Sequence, residues 1–246
     1  MNNKLVWGIV AVLVIIGGIY LLNLPAETKV TNEDTVVGEG RVVFSVTDAA
    51  ANMGNVSEVN MTISRVDMHN TVDGWMAVST TPKTYNLLAL KANNESKVLA
   101  DVEAEVNAYD QVRVTIDSVS IKTKAGVTEQ AALPAKEFTM NTVLIVDADN
   151  TSSVSLDFLV DKSLHTTIDG DYVFAPVIKT EIKSQVGVSV DALGTVLLTG
   201  GTLDDTDTFG MDLTGAVKLD FELNSAQKLN IGDDNTIKIE GALLKK

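Results

Sequence analysis

The chain has 246 residues, a formal net charge of −14, two histidines and no cysteine. A surface this acidic repels nucleic acid and anionic lipid headgroups, so neither is expected as a ligand. The missing thiols exclude disulfides, thiolate metal sites, a cysteine nucleophile and a bacterial lipobox, while an extracellular location stays open because a core of this size needs no cross-links.

The first element is apolar throughout. Leu5 to Leu22 carries no charge. At ~1.5 Å per residue it spans about 27 Å as a helix, roughly one hydrocarbon core. The exit, Leu24-Pro25-Ala26, is a poor cleavage site, so residues 1–24 read as an uncleaved signal anchor, a transmembrane helix, rather than a cleaved signal peptide. Lys4 precedes the span and Glu27, Glu33 and Asp34 follow it. That asymmetry places the N-terminus in the cytoplasm and the rest outside. Trp7 and Tyr20 sit near the two ends, as interfacial aromatics do. Residues 25–38 read as a polar stalk.

From residue 39 the apolar period becomes two, the signature of strands with one buried face. Val42, Phe44 and Val46 share a face, as do Val59, Met61 and Ile63. The phase then shifts to Val66 and Met68, which predicts a bulge near Ser64–Arg65. Val112, Val114 and Ile116 shift in the same way to Val119 and Ile121. Val154, Leu156, Phe158 and Val160 form another inward row, and Val217, Leu219, Phe221 and Leu223 a later one. Turns are signalled at Asp73-Gly74, Ala125-Gly126, Asp169-Gly170 and Gly232–Asn235. The one soluble segment that admits a helix is around Glu95–Glu105, whose apolar positions do not choose cleanly between the two periods. Many short strands predict an all-β fold: an antiparallel β-sandwich in the style of immunoglobulin or transthyretin domains over 39–184. After about Ser184 the chain is richer in Gly and Asp, so residues 185–246 read as a β-hairpin extension packed on the sandwich.

The motifs "GRVVFSVTDAAANMGNVSEVNMTISRVDMHN", "GWMAVS", "YNLLAL", "YDQVRVTIDSVSI", "LPAKEF", "VSLDFLVDKSLH" and "YVFAPVIKTEI" follow one another in a recognisable order. In order and spacing, residues from about Gly40 to Lys183 resemble the bacterial and archaeal envelope family known as domain of unknown function 4382. The resemblance implies a β-sandwich and an envelope location, and no activity. Ala108 stands before Tyr109 where the family tends to have Gly. Leu159 stands where it often has a second Asp, which weakens any paired-aspartate metal site at that strand end.

Asp161, Ser163 and His165 invite reading as a nucleophilic triad. Alternate strand positions lie about 6.8 Å apart, too far for a proton relay, and no glycine-rich elbow surrounds Ser163. They read instead as a strand leaving the core, with Asp161-Lys162 at the solvent exit and Ser163 opening a turn. Calcium is the one metal the composition suits. The candidate ligands are Asp204, Asp205, Asp207 and Asp212, with Asp147, Asp149 and Asn150 a weaker set; neither has EF-hand spacing. Glycosylation sequons stand at Asn55, Asn60, Asn94 and Asn150. Trp75 reads first as a core residue, and as a sugar-binding ring if it is exposed on a sandwich. The expectation is a non-enzymatic module at the cell surface that binds protein or carbohydrate or serves adhesion or scaffolding, with no catalytic residue. The alternative is a structural subunit of a lattice or filament that assembles through strand edges.

Overall fold

The computed structural model describes residues 38–48, 53–224, 228–232 and 236–239. The expected anchor and nearly all of the stalk lie outside them. No helix among the described residues is long and apolar enough to cross a membrane.

The described residues are all-β, in two principal sheets. The seven-stranded sheet runs in the order β15 (Val217–Leu219), β14 (Thr208–Met211), β12 (Val177–Val190), β9 (Thr151–Phe158), β1 (Glu39–Thr47) and β5 (Lys97–Glu105), with β13 (Val196–Asp205) paired to β12. The six-stranded sheet runs β3 (Gly74–Ser79), β2 (Val56–Asn70), β6 (Asn107–Thr123) and β7 (Thr128–Gln130). To it β4 (Lys83–Asn86) adds beside β2, and β8 (Glu137–Val146) beside β6. Two small hairpins, β10–β11 (Leu164–Thr166, Tyr172–Phe174) and β16–β17 (Leu229–Ile231, Ile237–Ile239), complete the strands.

Each sheet gives one face to a common core. Phe44, Leu156, Phe158 and Ile182 from the first sheet join Met61, Val114, Ile116 and Met140 from the second. All but Ile182 and Met140 belong to the alternating rows described above, and burial of one face is what fixes the register of such strands. The bulge expected near Ser64 is present: the β2–β6 register shifts at Thr62/Ile63 and again at Ile63/Arg65.

Three expectations are corrected. β1 and β9 pair in parallel, Phe44 opposite Val154, so the seven-stranded sheet is mixed rather than antiparallel. Alternation reports which face is buried but not strand direction. The segment around Glu95–Glu105 that admitted a helix forms β5, whose Leu99, Ala100 and Ala104 are buried. The helix lies just before it, α1 (Leu87–Asn93), where the Asn86 side chain accepts from Ala89 N at 3.3 Å and Asn94 closes the end at φ 52°. The last inward row is broken: Asp220 takes a left-handed φ of 50°, ending β15 at Leu219, which is exposed.

β12 runs unbroken through residue 184, where the composition changes. It pairs with β9 only over Ile178–Lys183. Beyond that point β12 and β13 form an arm that bends at Gln185, Gly200 and Gly201, all with positive φ (51°, 65° and 85°). The arm crosses the outer face of its own sheet and latches on β5: Val98 N donates to Gly194 O and Val196 N to Ser96 O, both at 2.8 Å. Val43, Ser45 and Ser153 point away from the core, yet all are buried beneath it.

Candidate binding site

Among the described residues the outer face of the six-stranded sheet is open, and its most distinctive residue is Trp75. The β2–β3 turn places it. Asn70, itself buried, accepts from the backbone N–H groups of Val72 (2.8 Å) and Asp73 (2.7 Å), and Gly74 takes φ 74°. The chain thus reverses with Trp75 opposite His69. Met76 and Val78 pack against the core, so Trp75 and Ala77 must face outward. This corrects the core assignment for Trp75, which is 37% exposed. The Met76–Val78 alternation was the signal in the sequence that marks it.

The indole is held from two sides. The Arg113 guanidinium carbon sits 4.2 Å from its ring centroid, a cation–π contact. The His69 ring lies at 5.1 Å, tilted by 56°. Arg113 in turn donates to Asp67 Oδ2 at 3.2 and 3.3 Å. Arg65 grips the same carboxylate, Nε to Oδ1 at 2.7 Å and Nη2 to Oδ1 at 2.6 Å. That hydrogen bonding raises the pKa of Arg65 above its ordinary value. Asp67 is 0% exposed although it lies on the outer face, because the two arginines lie over it. His69 Nδ1 pairs with Asp110 Oδ1 at 2.6 Å. In the next strands Gln111 stands opposite His69 and Asn141 opposite Gln111, with Gln111 Nε2 donating to Asn141 Oδ1 at 3.0 Å. The result is a straight cross-strand row, Trp75–His69–Gln111–Asn141, beside a compact ionic cluster.

Two hollows flank the arm on the other side of the molecule. One, about 520 Å³, lies beneath it, between Ser155, Asp157, Lys179 and Glu181 of the sheet and Val196 and Leu198 of the arm. The other, about 560 Å³, lies between α1, β4 and the arm tip and includes Lys83, Tyr85, Leu90 and Leu193. Burial raises the pKa of the Tyr85 hydroxyl, which donates to Val98 O at 2.9 Å.

The candidate calcium ligands are not brought together. Asp204 accepts from Ser184 Oγ at 3.1 Å and Asp205 from Val143 N at 3.1 Å. Loss of water, then the charges of Asp205 and Asp220, push the Asp207 carboxyl up. Burial would raise Asp212 as well, but hydrogen bonds from Lys218, Thr214 and Ala216 outweigh it and hold that carboxyl well below the usual range. Among the described residues no three carboxylate or imidazole groups gather in a way that could hold a metal ion. In the weaker set, Asp149 takes φ 57° in a turn and Asn150 Nδ2 donates to Ala148 O.

Ser163 is buried. It lies in the short helix α2 (Val160–Ser163), its hydroxyl donating to Leu159 O at 2.7 Å and accepting from Val177 N at 2.8 Å. Asp161 and Lys162 do mark the solvent exit. His165 is half-buried, which lowers its pKa. Of the sequons, Asn55, Asn94 and Asn150 are exposed, whereas Asn60 is half-buried in β2 and donates to Glu58 Oε2 at 3.1 Å.

Together these features define an all-β protein of two sheets around one core, with one open and one covered outer face. Its family is shown by sequence comparison: the family model described as Domain of unknown function (DUF4382) matches residues 39–176, and the chain belongs to that family. No curated protein and no solved structure matches it.

Proposed function

We propose that this chain is an extracytoplasmic binding module, held at the cell membrane by a signal anchor over residues 1–24, which engages a partner at the cell surface and catalyses no reaction. In this reading the two sheets form a sandwich in the style of immunoglobulin or transthyretin domains, and the polar segment 25–38 is a stalk. The observation that carries it is Trp75. Burying an indole in a core is strongly favourable. Here it stays on an open sheet face, fixed in orientation by Arg113 and His69. A rigid aromatic side chain packed against neighbours that are themselves already paired loses little entropy when a ligand arrives.

The test is co-sedimentation of the labelled full chain with delipidated envelope fragments from cells lacking it. Binding that disappears in Trp75→Ala supports the proposal, and absent binding, or binding unchanged in that variant, overturns it. Location is tested by protease added to intact cells: the β region should be cut while an N-terminal epitope stays protected.

The alternative is a lattice subunit assembling through strand edges. It draws on β13, whose edge beyond β12 carries exposed Leu197 and Leu203. Gly200 and Gly201 bend that edge, however, and bending is a common way to discourage edge pairing. Calcium-dependent polymerisation in sedimentation velocity would favour the lattice over the binding module.

A further inference from the structure

We propose that the open face of the six-stranded sheet binds a neutral oligosaccharide lying across the strands, along the row Trp75–His69–Gln111–Asn141. The proposal rests on the binding-module reading and names the ligand class.

The row crosses β3, β2, β6 and β8 in direct register. At ~4.8 Å between neighbouring strands it is about 14 Å long. It is a flat track rather than a pocket, suited to several sugar rings in line rather than to one. Trp75 stands at one end. Its indole can stack on the apolar C–H face of a ring, and Arg113 against it prevents it from folding down.

Beyond it the track becomes hydrogen-bonding. The single bond between Gln111 and Asn141 leaves the Gln111 carbonyl oxygen to accept and the Asn141 amide to donate. Hydroxyl groups, each both donor and acceptor, match such a mixed set.

Charge selects within the class. Arg65 and Arg113 are held by Asp67, with Glu137 Oε2 3.9 Å from Arg113, and Asp110 lies against His69, so each charged group beside the row already has a protein partner. The net charge of −14 further disfavours an acidic polysaccharide. A protein partner fits less well, because the centre of a protein interface is apolar and the row itself holds one large apolar group, Trp75.

The full chain, in an amine-oxide detergent without a sugar headgroup, is run in affinity electrophoresis through gels containing galactomannan, xyloglucan, dextran or, as the anionic control, polygalacturonate. Retardation by a neutral polymer is expected. Trp75→Ala should weaken it about tenfold, the upper range for an aromatic contact. The double variant Gln111→Ala/Asn141→Ala, which keeps the indole, should weaken it severalfold without changing the melting temperature. The proposal is overturned if no neutral polymer retards the chain, if only polygalacturonate does, or if both variants are retarded like the wild type. Should these polymers fail while Trp75-dependent binding to envelope fragments persists, the ligand class is wrong and the module reading stands; if envelope binding is absent too, both fall.

Discussion

The two sheets share one core and finish their outer faces in opposite ways. On the seven-stranded sheet the arm folds back, so that Val43, Ser45 and Ser153 are buried on the side away from the core. On the six-stranded sheet no described residue covers Trp75, and the charged residues beside it are paired with one another. The difference teaches that exposure here depends on which residues follow a strand as well as on the strand itself. The open face, from β2 to β8, lies wholly within the family-matched residues 39–176, whereas the arm is built from residues beyond them.

The sharpest way to break this comparison is to place the same charge on each outer face. Val43→Asp puts a carboxylate under the arm directly opposite Asp101, which already takes up the neighbouring Arg41. It should lower the free energy of unfolding by about 3 kcal/mol or more. Thr139→Asp puts it on the open face beside Arg113 and should change stability by no more than about 0.5 kcal/mol. Urea titrations of both variants decide the matter, and equal costs would mean that the arm does not cover its sheet in solution.

Next in size is Asp67→Ala. It strands two guanidiniums around an empty centre. Removing one partner of a buried pair typically costs 3–5 kcal/mol. Arg65 can turn to water, so about 2 kcal/mol is expected here. Arg113 also loses its anchor, and the environment of Trp75 should change with it. An unaltered tryptophan fluorescence maximum in this variant would argue that the cluster does not hold the indole.

The open face was nearly legible in the sequence and the covered face was not, for a physical reason. Alternation is a local signal. It put Val66, Met68, Val112 and Val114 inward, which places Asp67, His69, Gln111 and Arg113 outward. The same reasoning applied to Met76 and Val78 would have turned Trp75 outward too. It could not announce the arm, because Val43 alternates like any solvent-facing residue and is buried only by segments more than a hundred residues later. Strand direction was hidden likewise, since parallel pairing of β1 with β9 leaves no mark on the pattern of either. The helix was missed because "LLALKAN" is short and its capping residues, Asn86 and Asn94, read as ordinary loop residues. The aspartates after residue 203 were legible as an acidic cluster, but spacing alone could not reveal that Asp204, Asp205 and Asp212 turn to different partners, Ser184, Val143 and Lys218.

A smaller effect tests the arm's bend. At Gly201 an added Cβ would lie 2.8 Å from Val186 Cβ, at a φ of 85° that side chains avoid. Gly201→Ala should therefore cost about 1–2 kcal/mol. Because the strain falls at the bend, amide exchange should quicken at Val98 and Val196, the latches on β5, and stay slow at Val114 in the six-stranded sheet. Uniform acceleration would show that arm and core open as one unit.

The smallest effect is local and set by pH. Two carboxylates hold the arm. Asp191 accepts from Thr195 N and Leu193 N, both at 2.8 Å, and so shapes the tip. Asp101 binds Arg41, which also donates to Val188 O on the arm at 3.3 Å. Hydrogen bonding, from Thr195 for Asp191 and from Arg41 for Asp101, holds both carboxyls below their ordinary values. A carboxyl depressed in the folded state contributes stability above its unfolded pKa, about 3.9, and that contribution is lost as pH falls through the folded value. Both groups reach solvent, so the loss is modest and confined to the arm. Below about pH 4 the amides of Val98 and Val196 should exchange faster, after correction for intrinsic rates, while those in the middle of β6 do not. An arm that stays latched at pH 3 would show that its hold comes from Val186 and Val196 packing on the sheet rather than from these two aspartates.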